Sequence, residues 1–209
     1  MKTKMENYIW SLDISTTNIG AALWDADGKL IELKHLALKT SKTVPIDDRE
    51  LYKAEIFKKY VLDFKQRIHD ELNGVLQHII VEEPLGGSNN PSTASLLFGF
   101  NGICRYILHD IFNIYPIKIS VYDSRKLFCN ELVKTTYKRT GEKKETLSFP
   151  SKYKNKKKLY IWEKVSKLEP QIEWFYKRNN SKEPRDMCFD MSDSYAVGYA
   201  GLKKLNIIK

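Results

Sequence analysis

Cysteine, histidine and long apolar runs are all scarce in this chain, and each scarcity excludes something. The three cysteines, Cys104, Cys129 and Cys188, are odd in number and far apart, and no C-x-x-C pair occurs. Neither a disulfide framework nor a cysteine-based zinc site is expected, and a reducing compartment fits. The four histidines, His35, His69, His78 and His109, are as dispersed as the cysteines. No apolar run approaches the roughly 20 residues of a membrane-spanning helix. The opening "MKTKMENYIW" is charged and lacks the apolar core of a signal peptide. A cytoplasmic protein with no membrane partner is expected.

What the chain has in plenty is positive charge. Thirty-five lysines and arginines face 26 acidic residues, a formal net charge of +9 over 209 residues. A basic chain of this size points to a polyanionic partner. The charge is also local. Lys134 to Lys158 holds ten basic residues against Glu142 and Glu145, a net of +8. That stretch reads as a basic arm.

Hydrophobic periodicity gives the elements. "YIWSLDI" reads as a buried strand, "IGAALWD" as a second, and "KLIELKHLAL" as a third after the Asp27-Gly28 hairpin signal. From Asp48 to about Asn73, Phe57, Tyr60, Val61, Phe64 and Ile68 recur at helical spacing, and Asn73-Gly74 ends that helix. "VLQHIIVEE" predicts a fourth strand. Pro91 and Ser92 open a second helix with Leu96, Phe100, Ile103, Ile107 and Ile111 on one side. "PIKISVYD" predicts a fifth strand, and Asp190 to about Lys204 a last helix rich in small residues. This order argues for an α/β fold, with a mixed five-stranded sheet whose first three strands are antiparallel, flanked by helices.

Four acidic positions stand out by location. Asp13 ends the first strand, Glu82 and Glu83 end the fourth, and Asp190 and Asp193 open the last helix, on one helix face by their i, i+3 spacing. Singly, each has a plainer reading as a cap or a solvated strand end. Jointly they imply a cluster, which repulsion makes costly unless cations neutralise it. Oxygen-only ligands suit Mg²⁺ or Mn²⁺, and two such ions are a general device for phosphodiester hydrolysis.

The stretches "IWSLDISTTNIGAAL", "HIIVEEPLGG" and "DMSDSYAVGYA" resemble the RuvC-like Holliday junction resolvases of the RNase H-like superfamily. The resemblance implies a single RNase H-like nuclease domain over 1–209, with a basic insertion at 134–182 before the last helix. It implies that Asp13, Glu82, Asp190 and Asp193 are the catalytic metal ligands, with two Mg²⁺ (or Mn²⁺) ions per site. Glu82 is preferred to Glu83 because the family pattern is a run of aliphatics and then the glutamate, here "IIVE". It implies a homodimer that nicks two opposed strands of a four-way junction, leaving a 5′-phosphate and a 3′-hydroxyl. The second helix, with Gly99 and Gly102, is the candidate dimer face. Leu85 falls where the family places a side chain that wedges into the junction. Ser15 stands where the family often has glycine, and the long basic insertion suggests a divergent, phage or viral type acting in a host cytoplasm.

Candidate DNA contacts are Ser15, Leu85, Arg125 and Lys126, together with Lys154, Lys156, Lys157 and Lys158 in "SKYKNKKKLYIW", where Tyr153, Tyr160 and Trp162 offer stacking surfaces. Three alternatives stay open. One is another RNase H-like nuclease acting on hybrids, flaps or branched DNA. Another is a non-catalytic nucleic-acid binder on the same core. The third is an actin-like sugar kinase or ATPase, whose "DIGTT" turn resembles "DISTT". A kinase needs a second glycine-rich turn, and ten glycines with no second D-x-G turn do not provide one.

Overall fold

The computed structural model describes residues 5–84, 91–137, 139–178 and 182–209. Its centre is a five-stranded sheet of β1 (Glu6–Ile14), β2 (Asn18–Asp25), β3 (Leu30–Ala37), β4 (Gly74–Glu83) and β5 (Ile117–Ser120), in the order β3-β2-β1-β4-β5. The first three strands form the expected antiparallel meander, and β4 and β5 add in parallel. Gly28 carries the β2–β3 turn at φ +81°, and Asp25 accepts from the Asp27 and Lys29 amides to close it.

Two helices cover one face of the sheet. α1 (Arg49–Asp70) buries Phe57, Val61, Phe64 and Ile68 of the predicted stripe, and Tyr60 is partly buried against the same core. α2 (Pro91–Phe112) buries Phe100, Cys104, Ile107, Leu108 and Ile111, while Leu96 is exposed rather than on the packed side. Trp10 of β1 stacks on Phe64 at 3.9 Å between ring centres. The left-handed residue after α1 is Asn73 (φ 45°); Gly74 already belongs to β4.

The opposite face is covered by α3 (Val121–Phe128), α4 (Lys157–Leu168) and α5 (Asp186–Lys204). A hairpin of β6 (Val133–Tyr137) and β7 (Lys143–Leu147) stands apart from the main sheet. The predicted basic arm is therefore a folded subunit of hairpin and helix. Tyr153 and Trp162 are buried in it, and Tyr160 packs edge-on against Tyr153 and Phe149. Phe149 and Tyr160 also pack against the core on the α5 side, and the stacking surface expected of Tyr153 and Trp162 is spent on packing.

Two predicted boundaries are corrected. The fifth strand stops at Ser120, whose hydroxyl accepts from the Asp123 amide and caps α3. "VYD" is therefore helical, and Arg125 and Lys126 lie on α3. The last helix begins at Asp186, one turn before the predicted start. Asp190 and Asp193 thus sit in its second and third turns, and capping plays no part in their placement.

Candidate active site

Strand alternation decides which carboxylates meet. Along β1, Trp10 and Leu12 enter the core under α1 and α2, while Ile9 packs on the α5 side. Ser11 and Asp13 share the parity of Ile9 and so face α5. Along β4, Ile79 and Val81 face α1 and α2, and Ile80 faces α5. Glu82 shares the parity of Ile80 and projects beside Asp13; Glu83 turns to the other face and pairs with Lys118 at 2.9 Å. The parallel register Leu12↔Val81 puts the two strand ends level.

α5 lies directly over this edge because small groups let it approach. A Cβ on Gly20 would fall 1.9 Å from the Asp190 carbonyl oxygen, and one on Gly198 would fall 2.4 Å from the Ser11 hydroxyl. Ser11 fixes the contact: its hydroxyl donates to the Ser194 carbonyl at 2.9 Å and accepts from the Trp24 indole at 2.9 Å. Asp190 and Asp193 are thereby held over the ends of β1 and β4.

The carboxylates perturb one another's titration. Burial, then the negative charge of Asp193, pushes the Asp13 carboxyl up to about 7. Burial and the charge of Asp13 push Glu82 well above the usual carboxylate range, and the two carboxyls lie within hydrogen-bonding reach of each other. Asp190 is raised by burial, against the opposing charges of Lys158 and His35. One cation is already committed to the cluster. The Lys158 ammonium lies 2.9 Å from Asp193 and 3.6 Å from Asp190. Burial acts to lower the Lys158 pKa, but Asp193, Asp13 and Asp190 outweigh it and hold it raised.

The remaining predicted contacts divide. Arg125, Lys154, Lys156, Lys157 and Lys158, from two separate elements and the loop before α4, all line one cavity of about 570 Å³. Lys126 is outside it, paired with Glu145. The Ser15 hydroxyl is engaged in its own turn: it donates to the Asn18 carbonyl at 2.8 Å and accepts from the Asn18 amide at 3.0 Å. Leu85 lies outside the described residues.

Sequence reasoning missed His35. Register explains its place: Asp13 pairs with Gly20, and Gly20 pairs with His35, so the three form one row across β1, β2 and β3. His35 Nε2 is 3.7 Å from the Asp190 carboxylate and 3.1 Å from the Asn18 side-chain oxygen. Burial lowers its pKa, against the attraction of Asp190. Asn101 of α2 adds a buried amide that donates to the Glu82 carbonyl at 3.3 Å.

The donor set fits a hard divalent cation: four carboxylates, no sulfur, and a net negative charge that has already drawn in an ammonium. Among the described residues, no group of three or more His, Cys, Asp or Glu side chains could hold a metal ion as placed. Glu82 is turned onto Asp13, and Lys158 is turned onto Asp193.

Neither a protein-family model nor a curated protein matches the chain. Solved structures do match. Thermus thermophilus RuvC aligns over 97% of this chain and 98% of its own, with 11% identity and a TM-score of 0.53. The T. thermophilus RuvC structure in complex with a Holliday junction substrate aligns over 99% of both chains, with 9% identity and a TM-score of 0.54. The fold is RuvC-like. The yeast mitochondrial Holliday junction resolvase Ydc2 shares it, over 95% of this chain and 79% of its own, with 11% identity and a TM-score of 0.51. Within this RuvC-like fold the strand order and the carboxylate edge are as described above. Among the described residues, no helix is long and apolar enough to cross a membrane.

Proposed function

We propose that this protein is a metal-dependent, structure-selective DNA endonuclease, and that its substrate is the four-way junction. The observation that carries the reading is the convergence of Asp13, Glu82, Asp190 and Asp193 at one sheet edge, beside a cavity ringed by Arg125 and five lysines. A RuvC-like fold, seen in one neighbour with a Holliday junction substrate, supports DNA as the polyanion.

The four carboxylates would hold two Mg²⁺ ions, or Mn²⁺. When bound, such ions activate a water and stabilise the leaving oxygen of the phosphodiester. The chain's own residues do the rest. Asp13, wedged between Glu82 and the α5 aspartates, fixes the centre of the cluster. Arg125 and the lysines of the α4 start hold the backbone by phosphate contacts, which position the strand without reading its sequence. Asn101 and His35 orient the groups beside them, Glu82 and Asp190. A two-fold dimer would place two such sites on opposed strands. The α2 face carries Leu96, Phe98 and Tyr106 exposed, and a side chain added at Gly99 or Gly102 would meet nothing within 4 Å.

The reading is tested with labelled four-way, flap, duplex and RNA–DNA hybrid substrates in Mg²⁺ and in EDTA. Cutting confined to Mg²⁺ and strongest on the junction is expected. Preferred cutting of the hybrid would move the reading to another nuclease of the same fold.

A further inference from the structure

The cavity beside the carboxylates has chemistry that backbone contact alone does not require. Leu159, Pro184 and Phe189 join the lysine stems in its wall, so the wall is largely apolar behind a cationic rim. A groove that only follows a phosphodiester chain needs the rim and not the wall. At about 570 Å³ the space is far larger than a phosphate and falls within the ~300–1,000 Å³ typical of small-molecule sites.

The rim is poorly neutralised. Among the described residues, Lys154 and Lys156 have no acidic partner within ion-pair distance, and Arg125 Nε is buried without a hydrogen-bond partner. Two rim lysines are matched: Lys177 by Glu183 at 3.2 Å, and Lys158 by Asp193 at 2.9 Å. The start of α4 adds to the imbalance. Lys156 at its N-cap provides no side-chain cap, and the first turn holds no acid. Free amides and lysines at a helix N-terminus together favour an anion.

We propose that this cavity takes one unpaired nucleotide of the strand to be cut, its phosphate at the α4 start and its base against Phe189, Leu159 and Pro184. The proposal rests on the nuclease reading and names what that site selects. The position suits it. Lys158 belongs to both cavity and carboxylate cluster, and Phe189 directly precedes Asp190 on α5. A base paired within a duplex cannot enter such a pocket. Unpairing costs free energy, and least where a base is already loosened at a branch. The cavity therefore makes branched DNA the favoured substrate through the structure of the DNA and not its sequence.

The experiment places 2-aminopurine, whose fluorescence rises on leaving the base stack, singly at positions around the branch of a four-way junction. Protein is added in EDTA, so no strand is cut, and binding is followed separately by gel mobility. A several-fold rise at one position, absent from a duplex of the same sequence, is expected. Phe189→Leu keeps an apolar side chain but loses the ring; it should abolish most of that rise and weaken junction binding about tenfold, with an unchanged circular dichroism spectrum. Binding with no rise at any position, or a Phe189→Leu variant that behaves as the parent, overturns the pocket and leaves the nuclease reading standing. A normal rise in EDTA with no cutting in Mg²⁺ supports the pocket and overturns the nuclease reading instead.

Discussion

Asp13 is the residue at which fold and chemistry conflict. A carboxyl pushed up to about 7 by burial and by Asp193 binds its proton at a higher pH in the folded chain than in the unfolded one. Such a group adds stability below its unfolded pKa of about 4, and that contribution is lost as pH rises through about 7. Glu82 and Asp190 are shifted in the same direction, while His35, shifted down, opposes them weakly. The thermal midpoint in EDTA should therefore fall between pH 5 and pH 8, and Mg²⁺ should restore it at pH 8. Asp13→Asn removes one charge at constant shape. Calorimetry at pH 8 in EDTA should find it more stable than the parent, on the order of 2 kcal/mol. A destabilised Asp13→Asn would show that the cluster is not under charge strain. Lys158→Met acts in the opposite sense: it strips Asp193 of its cation, so the variant should lose stability at pH 8 and regain it on adding divalent ions.

At the scale of elements, the site depends on how near α5 lies to the sheet. Gly20→Ala forces a methyl into the Asp190 carbonyl, and the helix must shift. Overpacking of this kind costs about 1–3 kcal/mol. Denaturant unfolding should show that loss, together with a fall in cutting larger than the stability change explains. Much of this was legible beforehand. Two-residue alternation in "IIVEE" already assigns Glu82 and Glu83 to opposite faces, and helical spacing finds α1 and α2. Pro184, Arg185 and Asp186 mark the true start of α5, a signal outweighed by the aspartates that follow. The α4 helix is masked because it starts on Lys157 and Lys158 after a lysine-rich loop, although Ile161, Trp162 and Val165 already form its apolar stripe. His35 carried no signal at all. Its place beside Asp190 follows from pairing across three strands, which spacing along the chain does not encode.

At the scale of the whole molecule, a single-site nuclease on a four-way junction needs a second copy for paired nicks. The exposed α2 face should be that contact. On the proposed reading the parent should sediment as a dimer and make paired nicks, and Phe98→Glu should sediment as a monomer and make single ones, with the carboxylate cluster untouched. The +8 of the Lys134–Lys158 stretch should give binding a steep dependence on salt, and a Lys154→Ala, Lys156→Ala double variant should lower that slope by nearly two. The central claim is that the four carboxylates form one hydrolytic centre, and the most direct test is cutting of a labelled four-way junction by the parent, Asp13→Asn and Asp190→Asn in Mg²⁺. The account predicts junction cutting by the parent, none in EDTA, and a loss of at least a hundredfold in each variant although both still bind the junction. Cutting by either asparagine variant at the parent's rate would contradict it.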